Sequence, residues 1–348
     1  MKSIKKKIII FLIIGIMPLA VIGIIVGMVD PFFVYHPPLE NGYYIVDNQL
    51  EQNPGMAKHF EYNSVMLGSS MTTNFDSALF DKKLGCNMIK LSYNAAYPHD
   101  IDKIMGIVTE NKDVLTHAFL CIDIANYLYE PGTLSYTYPE HLYDNNVLND
   151  LKYLLNKDVL LDYVLIPYKK ESQLAINEIY WHWQHMTYGR AHVLSNYTMP
   201  QKEESMATQY SIDNLKKNLE TYIVPYIQTT PDTKWHVFFP PYSMLYWNNS
   251  IVWEELDVKL KGMEYITEYL QQFDNVEIYY FQDCEDWIVD LDNYTDVTHY
   301  SKEISDLMTE QLCNGINKVT KENYQERLMD FQNFVKNFDY RKLINGGN

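Results

Sequence analysis

Five short apolar runs recur along the chain, and most are followed by a stretch in which apolar residues have helical spacing. The runs lie at residues 63–67, 87–92, 118–124, 235–239 and 276–281. A continuous apolar run of this length is typical of a strand buried on both faces of a parallel sheet. Alternation of such strands with helices predicts an α/β fold with a doubly wound parallel sheet.

The strand rhythm is lost from residue 127 to residue 232. This segment is too long for a plain loop, so it predicts a helical insertion that caps the binding site of the α/β domain. Within it, His182 and His185 could share one helical face, but no further ligand is in register, and polar packing is preferred to a metal site. We therefore expect one large domain at 61–320 that contains this insertion, followed by a C-terminal amphipathic helix and tail at 321–348.

The N-terminus combines a lysine-rich start with 22 uncharged residues at 8–29. A helix of about 20 apolar residues spans a bilayer core, and membrane helices tolerate a proline such as Pro18. We interpret residues 1–29 as a signal anchor with a cytoplasmic start, which places the rest of the chain outside the cytoplasm. A cleaved signal peptide is the alternative, although no cleavage site is clear. Residues 30–60, rich in proline, form a membrane-proximal connector.

The net charge of −17 argues against nucleic acid as a partner, because phosphate backbones are bound by basic surfaces. The four cysteines are widely spaced and contain no C-x-x-C pair, which excludes the common zinc and thioredoxin motifs. A disulfide between Cys284 and Cys313 is left open by the sequence.

The first candidate chemical group follows the first apolar run, at Gly68-Ser69-Ser70. A strand that ends in a glycine turn before a helix presents a hydroxyl at the carboxyl end of the sheet, where open α/β sheets bind ligands. Serine is a weak nucleophile until a base accepts its proton, and the base needs an orienting group. Ser70 is therefore a candidate only if the chain supplies both.

Asp296 and His299 supply both, three residues apart on a short segment before a helical pattern. On a tight turn, the aspartate can hold one imidazole nitrogen while the other faces the serine. The same acidic segment does not fit a calcium loop, since it lacks the glycine and the final glutamate that such loops use. We expect neither a metal nor a cofactor.

Gly68-Ser69-Ser70 together with Asp296-x-x-His299 resembles the SGNH/GDSL hydrolase superfamily, whose first block is strand–Gly–Asp–Ser and whose last is D-x-x-H. The resemblance is closer to membrane-anchored cell-envelope members, including D-alanine-transfer proteins of lipoteichoic acid synthesis and polysaccharide O-acetylating proteins. It implies a three-layer, flavodoxin-like α/β/α fold, with Ser70 as nucleophile, His299 as general base and Asp296 as its orienter. It also implies a glycopolymer substrate and a membrane-bound acyltransferase partner.

The resemblance further implies an oxyanion hole built from three blocks. Ser70 contributes its backbone N–H. The second block corresponds to residues 90–96. Lys90 stands there in place of the family's asparagine, and an alanine stands in place of its glycine. Candidate donors there are Asn94 and Ala95. The third block, G-x-N-D, is not recognisable, and Asn126 is the candidate for its donor. Alternatively, Asn126 is a turn residue and Asp123 a helix or loop cap.

Three further residues are candidates for lining the substrate pocket by position alone. Ser69 lies beside the nucleophile, and Tyr242 and Ser243 follow the fourth apolar run. Hydrolysis and acyl transfer remain alternatives, because the serine chemistry is common to both. A catalytically inactive scaffold or glycan-binding protein of an export complex is the competing function. Phosphoryl transfer is excluded because no G-K-[ST] follows Gly68.

Overall fold

The computed structural model describes residues 2–112, 114–170 and 186–345, and divides the chain into two compact units. The first unit comprises Met1–Phe60 and Thr137–Ile176, and the second Glu61–Tyr136 and Asn177–Asn348. The helices are α1 (Lys2–Val29), α2 (Gln49–His59), α3 (Ser77–Leu84), α4 (Pro98–Asn111), α5 (Ile124–Tyr127), α6 (Glu140–Tyr143), α7 (Leu151–Leu154), α8 (Ile166–Lys170), α9 (Arg190–Asn196), α10 (Ile212–Tyr222), α11 (Val224–Thr229), α12 (Met244–Val252), α13 (Leu256–Leu270), α14 (Glu285–Ile288), α15 (Lys302–Asn314), α16 (Tyr324–Asn337) and α17 (Tyr340–Asn345).

The second unit is built on a six-stranded sheet with the order β2-β1-β3-β4-β5-β6. Its strands are β1 (Ser64–Leu67), β2 (Met88–Lys90), β3 (His117–Cys121), β4 (Lys234–Phe239), β5 (Val276–Tyr280) and β6 (Lys318–Val319). The first five are parallel, and β6 is antiparallel to β5. The predicted α/β class with a mostly parallel sheet is therefore confirmed. The order of the first five strands reverses between β1 and β3, and such a reversal opens a crevice at the carboxyl ends of the strands.

The central strands are apolar because they are covered on both faces. Every residue of β1 is buried, as are the last four residues of β3. Helix α3 packs against α15, whereas α10 packs against α4 and α13. The register pairs Leu67 with Leu120 and Cys121 with Phe238, so the carboxyl ends of β1, β3 and β4 are level with one another. This edge of the sheet carries the candidate site.

The first unit contains the helices α1, α2, α6, α7 and α8. It has its own cluster of buried apolar residues. Its buried members are Val26, Phe32, Leu142, Tyr153, Val159 and Val164. In the described part of the chain no helix is long and apolar enough to cross a membrane, so the spanning anchor predicted at residues 8–29 is not found there.

Further predictions concern residues outside the sheet. The segment predicted as one insertion, 127–232, is shared between the units, with 137–176 assigned to the first unit. His182 and His185 lie outside the described residues. Cys284 and Cys313 are both free thiols, so the disulfide that the sequence left open is not formed.

A cluster of charged side chains around Glu277 links β4, β5 and β6, and we expect it to be sensitive to acid. The Glu277 carboxylate accepts hydrogen bonds from Lys318 at 2.7 Å, Tyr279 at 2.7 Å and Lys234, whose ammonium is 3.0 Å away. Burial alone would raise the pKa of Glu277, but these donors outweigh it and lower the pKa to about 2. A lowered pKa stabilises the fold above the ordinary value of 4.5, and this contribution is lost as pH falls towards 2.

We expect Glu277→Gln to reduce the free energy of unfolding at pH 7 by up to about 3 kcal/mol, the equivalent of the pKa shift. The difference from wild type should narrow as pH falls from 5 to 3 in urea titrations. Glu310→Gln is the matched control, since Glu310 pairs with Lys83 at 2.6 Å but is 49% exposed. An exposed pair contributes less than about 1 kcal/mol. Equal effects of the two substitutions at pH 7 would contradict the prediction.

Candidate active site

The nucleophile candidate lies on the turn that leaves β1. Gly68 has a φ of +146°, a backbone conformation that side chains with a Cβ rarely adopt. Ser69 follows as the N-cap of a three-residue 3₁₀ helix, Ser70–Thr72, and its hydroxyl accepts the N–H of Met71 at 3.2 Å. The helix that the sequence predicts after this turn is α3, which begins at Ser77, so the 3₁₀ helix lies between Ser69 and α3. Ser70 is therefore presented by a tight turn, without the field of a long helix behind it.

Gly68→Ala should destabilise the second unit by roughly 2–4 kcal/mol, from strained backbone and steric overlap together. A Cβ there would lie 2.8 Å from Cβ of Cys121 and 2.9 Å from Cγ2 of Thr72. The control is Gly85→Ala, because Gly85 has φ +65° but open space around its Cβ position. We expect the control to lose about 1 kcal/mol. Thermal unfolding of both variants measures the difference, and similar losses would show that no overlap exists at Gly68.

The structure brings the three residues of the predicted triad together in one hydrogen-bonded chain. The Ser70 hydroxyl oxygen lies 2.8 Å from Nε2 of His299. On the other side of the imidazole, Nδ1 lies 2.7 Å from Oδ2 of Asp296. With the proton on Nδ1, the imidazole accepts the Ser70 proton at Nε2, which is the arrangement that general-base activation of a serine requires.

The D-x-x-H spacing works because the aspartate also builds the turn that carries the histidine. Oδ1 of Asp296 accepts the backbone N–H groups of Thr298 and His299, both at 2.8 Å, and the Thr298 hydroxyl at 3.0 Å. Such a turn fixes the residue three positions later relative to the carboxylate. One carboxylate oxygen therefore shapes the loop while the other orients the imidazole.

The local charges keep Asp296 ionised. Burial by itself would raise its pKa, but the hydrogen bonds and charge of His299, together with the Thr298 N–H, lower the pKa to about 2. The side chains remain partly open to solvent, with Asp296 44% and His299 22% exposed. Asp296 can thus stabilise a positive imidazole across the physiological pH range.

Buried hydroxyls anchor the loop that carries Asp296 and His299 to the rest of the site. Tyr294 donates to the carbonyl of Pro241 at 2.6 Å, and Ser243 donates to the carbonyl of Val297 at 2.7 Å. The loop is closed by an antiparallel bridge between Tyr294 and Tyr300. These contacts tie the Asp-His loop to the segment that follows β4, so its position depends on the sheet.

Tyr300 also joins the loop to the nucleophile turn. Its buried hydroxyl donates to the carbonyl of Met71 at 2.7 Å, one residue beyond Ser70. This link spans 229 positions of sequence and helps to set the distance between Ser70 and His299. Tyr300 was not predicted from the sequence, because a tyrosine beside His299 carries no signal that would single it out.

The backbone N–H groups of Ser70 and Ala95 are the candidate oxyanion donors, and they lie on turns that follow β1 and β2. Ala95 is the third residue of a turn closed by the Ala96 N–H and the Tyr93 carbonyl at 3.2 Å, and it has φ +55°. The turn is tied to the end of β1 by the Tyr93 N–H, which donates to the Gly68 carbonyl at 3.1 Å. In the described part of the chain, neither Ser70 N–H nor Ala95 N–H donates to a protein acceptor. Ala95 thus adopts a left-handed backbone conformation, which glycine takes more readily than alanine.

The two asparagines have different surroundings. Asn94 is half-buried in the turn before Ala95. Asn126, on α5, donates its side-chain amide to the carbonyl of Ala96 at 2.9 Å and lies 3.4 Å from that of Ala95. Asn126 therefore supports the Ala95 turn, and its amide is engaged with the protein rather than held open for a substrate.

The residues proposed to line the pocket are buried beneath the site. Ser69 and Ser243 are almost completely buried, as is Tyr242. Ser243 donates to the Val297 carbonyl, Tyr242 donates to the carboxylate of Asp123, and the Ser69 hydroxyl accepts the Met71 N–H. Position after a strand placed them correctly at this edge, but their side chains point into protein. Burial raises the pKa of Asp123, while the bonds from Ser69 and Tyr242 oppose that rise.

Lys90 occupies the position at the start of the second block where the resemblance leads us to expect an asparagine. Its buried ammonium donates to the carbonyls of Phe75 at 2.6 Å and Thr73 at 3.1 Å. These carbonyls belong to the segment just after the nucleophile turn. Lys90 therefore stabilises that segment from beneath.

Among residues 2–112, 114–170 and 186–345, no group of three or more histidine, cysteine, aspartate or glutamate side chains could hold a metal ion. A cavity of about 410 Å³ lies elsewhere, between α13 and α16, and is lined by residues such as Asp257, Leu328 and Lys336. It shares no residue with the triad.

Neither a protein-family model nor a curated protein matches the sequence. Four chains of solved structure do match. One is described as "a putative platelet activating factor from Streptococcus pneumonia"; it is 11% identical, and the match covers 77% of this chain and 90% of that chain with a TM-score of 0.44. A likeness this distant does not place the chain in a family, so function is argued from the geometry of Ser70, His299 and Asp296.

Proposed function

We propose that this protein is a serine acyltransferase or esterase of the SGNH/GDSL type, acting on acyl groups of a cell-envelope polysaccharide or teichoic acid. The observation that carries the proposal is the continuous chain Ser70–His299–Asp296, with contacts of 2.8 and 2.7 Å. The strand order and the two backbone N–H groups at the same edge support the three-layer architecture and the chemistry of that superfamily.

In the proposed reaction, Oγ of Ser70 attacks the acyl carbonyl and its proton moves to Nε2 of His299. Asp296 stabilises the imidazolium through Nδ1, and the Ser70 and Ala95 N–H groups receive the negative charge on the carbonyl oxygen. Collapse expels the leaving group, which takes the proton from His299 and leaves an ester on Ser70. Water or a sugar hydroxyl then attacks that ester, with His299 as base, and regenerates the serine.

The setting of the reaction is proposed from the sequence alone. The lysines before the 22 uncharged residues at 8–29 support a second unit that lies outside the cytoplasm and at the membrane. An acyl donor supplied by a membrane-bound acyltransferase fits that location. Acetyl and D-alanyl groups are the donors that the resemblance suggests.

The experiment is acyl transfer by the full chain in detergent with acetyl and D-alanyl thioesters. We expect thiol release together with an acyl adduct on the protein, and faster turnover when a polyol or glycan acceptor is added if the enzyme is a transferase. Equal turnover with and without acceptor would assign hydrolysis instead. No thiol release from any donor by the folded protein would contradict the proposal.

A catalytically inactive, glycan-binding scaffold is the second candidate, and the surroundings of Asn126 favour it. The amide expected to complete the oxyanion hole donates to Ala96 instead. A scaffold would bind glycan without thiol release and would bind it equally well after Ser70→Ala.

A further inference from the structure

Asn74 links the segment that carries the nucleophile to the loop that carries His299, although the triad does not include it. Its side-chain amide donates to the carbonyl of Tyr300 at 3.0 Å, across 226 positions of sequence. Because a carbonyl can only accept, the end of the amide that faces it must be the NH₂ group. Tyr300 directly follows His299, so this bond holds the backbone on which the base is carried.

A second hydrogen bond joins the same two segments in the opposite direction. The Tyr300 hydroxyl donates to the carbonyl of Met71, at 2.7 Å. The segment after Ser70 therefore holds Tyr300 both at its carbonyl and at its side chain. We refer to these two bonds as the Asn74–Tyr300 bridge. Because its bonds attach at different points of each segment, the bridge resists rotation of the segments as well as their separation.

On the side of the nucleophile, the bridge is attached to a firmly held piece of backbone. The carbonyl of Ser70 accepts the Thr73 hydroxyl at 2.7 Å and the Thr73 N–H at 3.2 Å. The Lys90 ammonium holds the carbonyls on either side of Asn74, those of Thr73 at 3.1 Å and Phe75 at 2.6 Å. A displacement of Asn74 would therefore be passed to Ser70 through its own carbonyl.

The other hydrogen of the Asn74 amide also reaches the side of the base. It is donated to the Tyr188 hydroxyl oxygen, 3.3 Å away. The next residue, Gly189, donates its N–H to the carbonyl of Tyr294 at 3.0 Å, on the loop that carries His299. Both acceptors of the amide are therefore attached to that loop, one directly and one through a neighbouring segment.

We propose that Asn74 is a positioning residue: through the Asn74–Tyr300 bridge it fixes the distance between the Ser70 hydroxyl and Nε2 of His299. This inference rests on the proposed serine chemistry, since it concerns the rate at which Ser70 attacks. The amide acts through Tyr300 and touches no reacting atom, so binding of the acyl donor does not depend on it. A displacement of about 1 Å in a reacting group can cost on the order of 10²-fold in rate.

The test is the kinetics of labelling of the full chain by a fluorophosphonate, normalised to the folded fraction measured by thermal unfolding. Asn74→Leu keeps nearly the same size and removes both amide bonds. It should lower the maximal labelling rate constant by roughly 10–100-fold and leave the half-saturating probe concentration unchanged. Tyr300→Phe removes only the other bond of the bridge and should slow labelling several-fold in the same way. It keeps the test decisive if Asn74→Leu does not fold.

The matched control is Asn275→Leu. Asn275 is half-buried like Asn74, but it lies just before β5, at the opposite end of the sheet from the triad. Its amide donates to three carbonyls, those of Ile227, Thr230 and Thr233, each at 3.2 Å. The control should lower stability and leave the labelling rate per folded molecule at the wild-type value.

Three results would overturn the positioning role. One is a wild-type maximal rate in folded Asn74→Leu, or in Tyr300→Phe if the former does not fold. Another is a loss that appears only as a higher half-saturating concentration, and the third is an equal loss of rate in Asn275→Leu. A folded wild-type protein that does not label at all would instead overturn the serine chemistry, and the positioning role with it.

Discussion

Ser70→Ala is expected to lower kcat for thioester or ester turnover by about 10⁴–10⁶-fold. The hydroxyl 2.8 Å from Nε2 of His299 is the group that the base activates, and alanine leaves no nucleophile in its place. Residual turnover should come only from binding and from the oxyanion donors. Thiol release under saturating donor measures the effect.

The control for this variant is Ser195→Ala. Ser195 is exposed on α9, and its hydroxyl bonds the carbonyl of His192 in the same helix at 2.8 Å. Its replacement should leave kcat unchanged. Wild-type turnover by Ser70→Ala would mean that the nucleophile lies elsewhere in the chain.

Asp296→Asn should lower kcat by about 10⁴-fold with little change in KM. An asparagine keeps an oxygen for the turn that Asp296 forms with Thr298 and His299, so the loop should stay folded. Its amide, however, donates to Nδ1 of His299 and so moves the imidazole proton to Nε2, where the serine proton has to go. The result is a correctly placed base in the wrong tautomer.

The pH dependence of folding stability provides a second readout for the same substitution. The pKa of Asp296 is about 2, so the wild-type carboxylate remains ionised well below neutral pH. The stabilisation that it gives to the folded state is present above its ordinary value of 3.8 and is lost as pH falls towards 2. Asp296→Asn should lack this acid-dependent loss of stability.

The control is Asp290→Asn, an exposed aspartate in the same acidic segment, which should keep wild-type kcat. Wild-type kcat in Asp296→Asn would remove Asp296 from the triad.

The sheet could be predicted because buried parallel strands must be apolar throughout. All five apolar runs coincide with β1 to β5, to within three residues at every end. Strand β6 was missed since its two residues, Lys318 and Val319, form no apolar run. Within the predicted helical insertion, α10 and α11 are separated at Ile223, because Pro225 lacks the N–H that a continuous helix would use.

The triad could be found because its two segments have local spacing with a physical reason. A glycine turn and an Asp-x-x-His turn each place a side chain by short-range geometry. What could not be predicted depends on packing across long stretches of sequence. Tyr242 and Ser243 were expected to face the substrate, but whether a loop side chain points out or in is decided by neighbours such as Asp123 and Val297. The grouping of 137–176 with the N-terminal 60 residues is long-range in the same way.

The central claim is that Ser70 is a nucleophile activated by His299. The most direct measurement is peptide mass spectrometry of the full chain after reaction with a fluorophosphonate, beside His299→Ala. We expect the phosphonyl group on Ser70 in the wild-type protein and no adduct in the folded variant. An adduct on another residue, an adduct on Ser70 that persists without His299, or a folded wild-type chain with no adduct would contradict the claim.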